Sequence, residues 1–254
     1  MKHTQSCELI YKKELTEGIF DFRVKSAEIA ETAGCGQFLH INCGGEVLLR
    51  RPISICDISG DEVRFIFEVK GKGTAELAKY ETGDFIDILG PLGHGFTICG
   101  KEKNPVVIGG GIGVFPLYYL SKKLHNPTIF LGFRNKDRVV MEYEFSRLGK
   151  IFVSTDDGSY GYNGFAAELL KEHIKENHTD IIYSCGPMPM LRAIKKIAED
   201  AGIFCEISLE QRMGCGIGAC LVCSCETVHD GMEKYARVCK NGPVFLSSEV
   251  TLND

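Results

Sequence analysis

The chain has 254 residues, 44% hydrophobic and 25% charged, enough for one large domain or two modest ones with packed cores and no disulfide staples. A net charge of −5 and the lack of a Lys/Arg stripe argue against nucleic acid as a ligand. The opening MKHTQSCELIYKKE turns polar too early for a signal peptide, and the most apolar stretch, Val106–Leu120, is glycine-broken and too short for a bilayer, so the expectation is a cytoplasmic protein with no membrane contact.

The first hundred residues read as strands. Glu17–Val24 alternates, Phe38–Cys43 is short and apolar, Glu62–Val69 is β-branched and aromatic, and Asp84–Leu89 repeats the pattern. Gly44-Gly45, Ser59-Gly60-Asp61 and Gly90-Pro91-Leu92-Gly93 punctuate them, which predicts a small antiparallel barrel. One helix interrupts at Thr74–Ala78, with Thr74 as its N-cap.

After Gly100 strands alternate with helices: strand Pro105–Ile108, helix Phe115–Leu124, strand Thr128–Phe133, helix Glu142–Leu148, strand Ile151–Ser154, helix Phe165–Ile174, strand Asp180–Ser184 and helix Met188–Ala201. That rhythm means βαβ units around a parallel sheet. The last fifty residues lose it and are rich in glycine and cysteine. The expected domains are therefore a β-barrel over 1–99, an α/β unit over 100–206 and a small cysteine-rich unit over 207–254.

Five of the twelve cysteines fall between Cys215 and Cys239, and without an export signal such a cluster points to metal or redox chemistry. Cys215, Cys220 and Cys223 are spaced C-x4-C-x2-C, and Cys239 follows after fifteen intervening residues. This is the plant-type [2Fe–2S] pattern, in which one tight loop supplies most ligands and a distant cysteine closes the set. Gly216, Gly218 and Ala219 let the backbone wrap closely. Cys225 reads as a bystander. Zinc is the rival, yet zinc knuckles favour C-x2-C pairs and only one such pair exists. The seven histidines show no ligand spacing and receive no role.

Gly109-Gly110-Gly111-Ile112-Gly113 follows a strand and opens a helix, so its backbone N–H groups can face a phosphate. Such turns also serve tight packing or S-adenosylmethionine. A second strand–turn–helix junction, Cys185-Gly186-Pro187, belongs at the same sheet edge, as does Thr155-Asp156-Asp157-Gly158-Ser159, and ligands bind at that edge. Arg51-Pro52-Ile53-Ser54, between barrel strands, offers a guanidinium fork and a hydroxyl, and Lys70-Gly71-Lys72-Gly73-Thr74 offers another phosphate cradle. Taken alone, each is equally an ordinary surface feature.

In this order the motifs resemble the ferredoxin–NADP reductase superfamily. Ser208–Cys220 (SLEQRMGCGIGAC) and Val238–Phe245 (VCKNGPVF) resemble the electron-transfer subunits of class 1B dihydroorotate dehydrogenases. The resemblance implies FAD in the barrel, lined by Arg51, Pro52, Ile53 and Ser54, with Ile66, Phe67 and Glu68 adding contacts and Gly73 and Thr74 at the pyrophosphate. Ile53 stands where the wider superfamily has an aromatic. It further implies NAD at Gly109, Gly110, Gly111, Ile112 and Gly113 and at Cys185, Gly186 and Pro187. The implied partner is an FMN-containing dihydroorotate dehydrogenase catalytic subunit, in a heterotetramer of two copies of each, serving pyrimidine (UMP) biosynthesis. Electrons would pass from the partner through the cluster and FAD to NAD+, with no catalytic acid, base or nucleophile on this chain. The rival readings are a relative that exchanges electrons between NAD(P)H and ferredoxin or acts on sulfide, and a zinc-stabilised binding module. Arg134, Lys136 and Arg138 after the second sheet strand, with Asp137 among them, leave NAD against NADP open.

Overall fold

The computed structural model describes residues 4–229 and 232–252; the ends of the first and last expected domains lie outside them. Six strands close the barrel: β1 (Thr4–Thr16), β2 (Ile19–Lys25), β3 (Phe38–Ile41), β4 (Arg51–Ser59), β5 (Glu62–Glu68) and β6 (Phe85–Leu92), in the order β1-β2-β5-β4-β3-β6. Alternation puts Leu9, Phe22, Leu39, Ile41, Phe65 and Ile88 inside it. Arg51-Pro52-Ile53-Ser54 does not lie between strands, as the sequence suggested, but opens β4. Pro52 is tolerated there because it stands at the strand's second position, where one missing N–H costs little pairing.

Helix α1 (Ala27–Thr32) is capped by Ser26, whose Oγ accepts the Ile29 N–H at 3.2 Å. Helix α2 spans Lys72–Leu77, two residues earlier than expected. Thr74 is its third residue rather than its cap, and its Oγ1 accepts the N–H groups of Lys70 and Gly71 at 2.9 and 3.3 Å.

The second half carries a seven-stranded sheet. Its parallel strands are β7 (Pro105–Gly110), β8 (Thr128–Phe133), β9 (Lys150–Thr155), β10 (Tyr162–Asn163), β11 (Ile181–Cys185) and β12 (Phe204–Ser208). The order β10-β9-β8-β7-β11-β12 reverses direction between β7 and β11, a topological switch point that opens a crevice at the strands' carboxyl ends. Helix α3 (Phe115–Lys123) covers one face; α5 (Ala166–Glu176) and α6 (Met188–Ala201) cover the other, and short α4 (Glu142–Ser146) precedes β9.

The barrel and sheet are pinned together by charge. Arg64 of β5, 7% exposed, bonds both carboxylate oxygens of Asp21 at 2.9 and 2.8 Å and both of Glu144 in α4 at 2.7 and 3.2 Å. Beyond the cysteine loop, β13 (Ser224–His229) and β14 (Met232–Arg237) form a hairpin. The chain then returns as β15 (Val244–Leu246), antiparallel to β12, so the cysteine-rich segment is stitched into the sheet. Cys223, Val238 and Cys239 share one core with Leu191, Phe245 and Phe38 of the barrel. Among the described residues no helix is long and apolar enough to cross a membrane.

Candidate functional site

The barrel and sheet meet at a cleft of about 480 Å³. The start of β4 gives it Arg51, Pro52, Ile53 and Ser54; the end of β5 gives Ile66, Phe67 and Glu68; Thr74 joins from α2. Gly73 does not line the cleft but makes room for it, since a Cβ there would lie 2.5 Å from Arg51 Nε. Arg51 is braced from behind, Nη1 donating to the Leu49 carbonyl at 2.5 Å, which leaves the rest of its fork for an anion. The opposite wall holds Phe115, Cys185 and the run Ser208–Met213. That last run was read from the sequence only as cluster-flanking; its place in the cleft depends on β12 ending beside β11 at the same sheet edge.

A second cleft of about 340 Å³ opens on the carboxyl ends of β7 and β11. Gly110, Gly111, Ile112, Gly113, Gly186 and Pro187 form its floor, with Arg134 and Arg138 at its side. Gly109 and Cys185 sit one layer below as ladder partners. Close packing forces the glycine at 113, where a Cβ would lie 2.5 Å from the Cys185 carbonyl oxygen. The Thr155–Ser159 turn lies at the same sheet edge but outside both clefts, where the Ser159 hydroxyl accepts the Lys136 N–H at 2.8 Å.

The clefts share Glu68, Lys70, Ile112, Phe115 and Glu210, so ligands in the two would meet across one wall. Glu210 is reached by solvent at the mouth, yet the surrounding walls exclude enough water to push its carboxyl pKa up, with Lys70 opposing. Glu210 falls inside the Ser208–Cys220 run that carries the resemblance, but nothing local gives it a role of its own, because its cleft neighbours Glu68, Lys70, Ile112 and Phe115 come from barrel and sheet.

The cysteine loop turns through left-handed backbone at Gly216, Gly218 and Leu221. Burial raises the Cys215 thiol pKa, but N–H groups of Ile217, Cys220 and Ala219 outweigh it and bring the value down to about 6. Two of those donors lie 3.3 Å (Ala219) and 3.4 Å (Cys220) from its Sγ. Cys223 Sγ accepts the Cys239 N–H at 3.4 Å, and burial with the neighbouring Cys223 lifts Cys239 to about 12. Arg237 of the hairpin clamps the loop, Nη1 to the Gly218 carbonyl at 2.9 Å. Cys225 lies on β13 opposite Ala236 and packs against the core.

The thiols thus stand as two pairs, Cys215 with Cys220 and Cys223 with Cys239. Among the described residues no three His, Cys, Asp or Glu side chains close on one point, as a single tetrahedral ion would require. Two thiolate pairs lined by inward backbone N–H groups fit a two-iron, two-sulfide centre, in which each iron takes one pair.

The iron-sulfur cluster binding domain of dihydroorotate dehydrogenase B matches residues 210–251. The dihydroorotate dehydrogenase B (NAD(+)), electron transfer subunit, of Bacillus mycoides is 40% identical over 99% of this chain and 100% of that one. The chain belongs to this family. The electron-transfer subunit of Caldanaerobacter subterraneus subsp. tengcongensis is 41% identical over 85% of this chain and 86% of its own. Among solved structures, that of an NADH-dependent reduced ferredoxin-NADP oxidoreductase superposes with a TM-score of 0.87 at 32% identity, covering 99% of this chain and 92% of that one. The barrel-plus-sheet architecture expected from the resemblance is the one this chain adopts.

Proposed function

We propose that this chain is the electron-transfer subunit of a dihydroorotate dehydrogenase complex, delivering electrons taken from dihydroorotate to NAD+ in the cytoplasm. The observation that carries the reading is the shared wall: the barrel cleft and the switch-point cleft meet at Lys70, Ile112, Phe115 and Glu210, and the cleft run Ser208–Met213 leads directly into the cysteine loop. When bound, FAD supplies the ability to trade single electrons with a [2Fe–2S] centre and a hydride with a nicotinamide.

The chain's own residues bind, orient and shield. Gly73 and Thr74 hold the flavin pyrophosphate, with the Arg51 fork beside them, while Arg51, Pro52, Ile53, Ser54, Ile66, Phe67 and Glu68 line the flavin. The turns Gly109–Gly113 and Cys185–Pro187 take the NAD phosphates on backbone N–H groups. Cys215, Cys220, Cys223 and Cys239 hold the cluster. Residues 1–99, 100–206 and 207–254 correspond to the flavin, NAD and cluster units.

The partner is the FMN-containing catalytic subunit, in a heterotetramer of two copies of each. Its docking face is the cluster loop, where Ile217, Leu221 and Val222 are 53%, 61% and 57% exposed around the exposed Cys220. A second reading, electron exchange between NADP(H) and ferredoxin, draws support from the 32%-identical oxidoreductase and from Arg134 and Arg138 beside the nucleotide cleft.

The test is an anaerobic visible spectrum with iron and flavin content, before and after NADH. About two irons and one FAD, bleached by NADH, with dihydroorotate-dependent NAD+ reduction on adding the partner, is the expected result. Zinc without flavin would remove the reading; reduction by NADPH with ferredoxin as sole acceptor would favour the second one.

A further inference from the structure

His40 of β3 is 1% exposed, and neither ring nitrogen has a hydrogen-bond partner. The Arg50 backbone acts on the ring, yet neither nitrogen makes a hydrogen bond to it. A buried imidazole left this way loses its water and gains nothing in return, which calls for a partner the bare chain does not supply. Its location is specific. Across the barrel ladder it is paired with Pro52, a wall of the larger cleft, and with Leu89. Above it lies the cysteine loop: a Cβ at Gly216 would come within 2.6 Å of His40 Nδ1 and 3.0 Å of its Cγ. The ring therefore fills the layer between the cleft wall and the residue next to Cys215, and glycine at 216 is what lets it approach.

We propose that His40 tunes the iron–sulfur cluster, its neutral imidazole donating a ring N–H toward the cluster's sulfur edge and raising its reduction potential. The inference rests on the proposed function, since it requires the cluster to be present. The physics is direct. Sulfides and thiolates are acceptors only, and the centre gains a negative charge on reduction, so a donor in a dry site favours the reduced form. A neutral imidazole carries one such donor. A higher potential makes the cluster as a whole a better electron acceptor.

The test uses the full-length holoprotein and an EPR-monitored redox titration of wild type, His40→Leu and His40→Gln, with iron and FAD measured in each. With iron retained, His40→Leu is expected to shift the reduced-to-oxidised ratio at fixed poise at least tenfold toward oxidised, a midpoint about 59 mV lower. His40→Gln, which restores an N–H, should recover at least half of that shift. An iron-replete His40→Leu with the wild-type midpoint would overturn the proposal. If His40→Leu loads no iron, His40→Met, apolar and adaptable, is titrated under the same criterion. Loss of iron from all three variants would make the ring a spacer and also overturn it. Wild type lacking iron or flavin would instead sink the proposed function, so the two failures are distinguishable.

Discussion

Cys185, the last residue of β11, is the parallel ladder partner of Gly109 in β7, and its carbonyl oxygen lies directly under Gly113. The two turns proposed to take the nucleotide are therefore not independent loops. One turn's backbone is packed on the other's, and both owe their place to the reversal of strand order between β7 and β11.

A methyl group at 113 has nowhere to go, because what it meets at 2.5 Å is backbone carbonyl rather than a pliant side chain. Gly113→Ala should weaken NADH binding at least tenfold by direct titration while iron and flavin contents stay at wild-type levels. Unchanged affinity would mean that the nucleotide does not use this turn.

Arg51 is the positive group of the larger cleft that its own backbone braces. A charge-assisted bond is worth about 1.5–3 kcal/mol, so Arg51→Ala should lower FAD affinity roughly 10- to 100-fold, read as flavin retained through gel filtration. Arg51→Lys should not restore it, since an ammonium lacks the planar fork.

Cys220 is the exposed member of its thiol pair. Cys220→Ser should empty the two-iron site by iron assay and cut NAD+-linked turnover of the complex at least 100-fold. The partner's activity with an artificial acceptor should persist; equal loss of both would break the relay picture.

The Asp21–Arg64–Glu144 network predicts unequal costs. Asp21 is 2% exposed, and Asp21→Asn leaves a buried guanidinium without its main counter-charge, a loss of about 3–5 kcal/mol by denaturant unfolding. Glu144, with a side chain 35% exposed, is screened by water, and Glu144→Gln should cost only about 1 kcal/mol.

Asp180 receives the Asn104 backbone N–H at 2.8 Å and its side-chain amide at 3.0 Å, tying the start of β11 to that of β7. Those bonds, with Lys103 adding to them, hold its pKa down to about 2. Because the folded value lies below the unfolded one near 3.9, the stabilisation is present above about pH 4 and is lost as pH falls toward 2. Asp180→Asn should lower the melting temperature at neutral pH and flatten the fall between pH 4 and 2; parallel profiles would exclude the assignment.

How much of this could be read from sequence depends on how local each cause is. The β7–α3 turn was legible because a strand, a glycine run and a helix are consecutive. The iron–sulfur segment was legible because three of its cysteines, Cys215, Cys220 and Cys223, are close in sequence, and the family match covers 210–251. Strand β1 was not, since Glu8, Lys13 and Glu14 face water and few of its side chains, Cys7 and Leu9 among them, enter the core. Strands β12 and β15 were missed because each is short and β15 pairs only once the chain has returned past the hairpin. No motif gives Glu210 or His40 a role of its own: what distinguishes them is the company that barrel, sheet and loop bring together.

The larger cleft is walled at one end by residues near position 51 and at the other by Ser208–Met213 and Pro243. A nascent chain emerging from the ribosome thus has a finished barrel long before it has a finished cleft, because the last barrel strand ends at Leu92 and the far wall begins only at Ser208. A ligand in this cleft can be fully enclosed only once residues 208–243 have been made and have folded back, so retention of the flavin proposed to lie there also serves as a check on that segment.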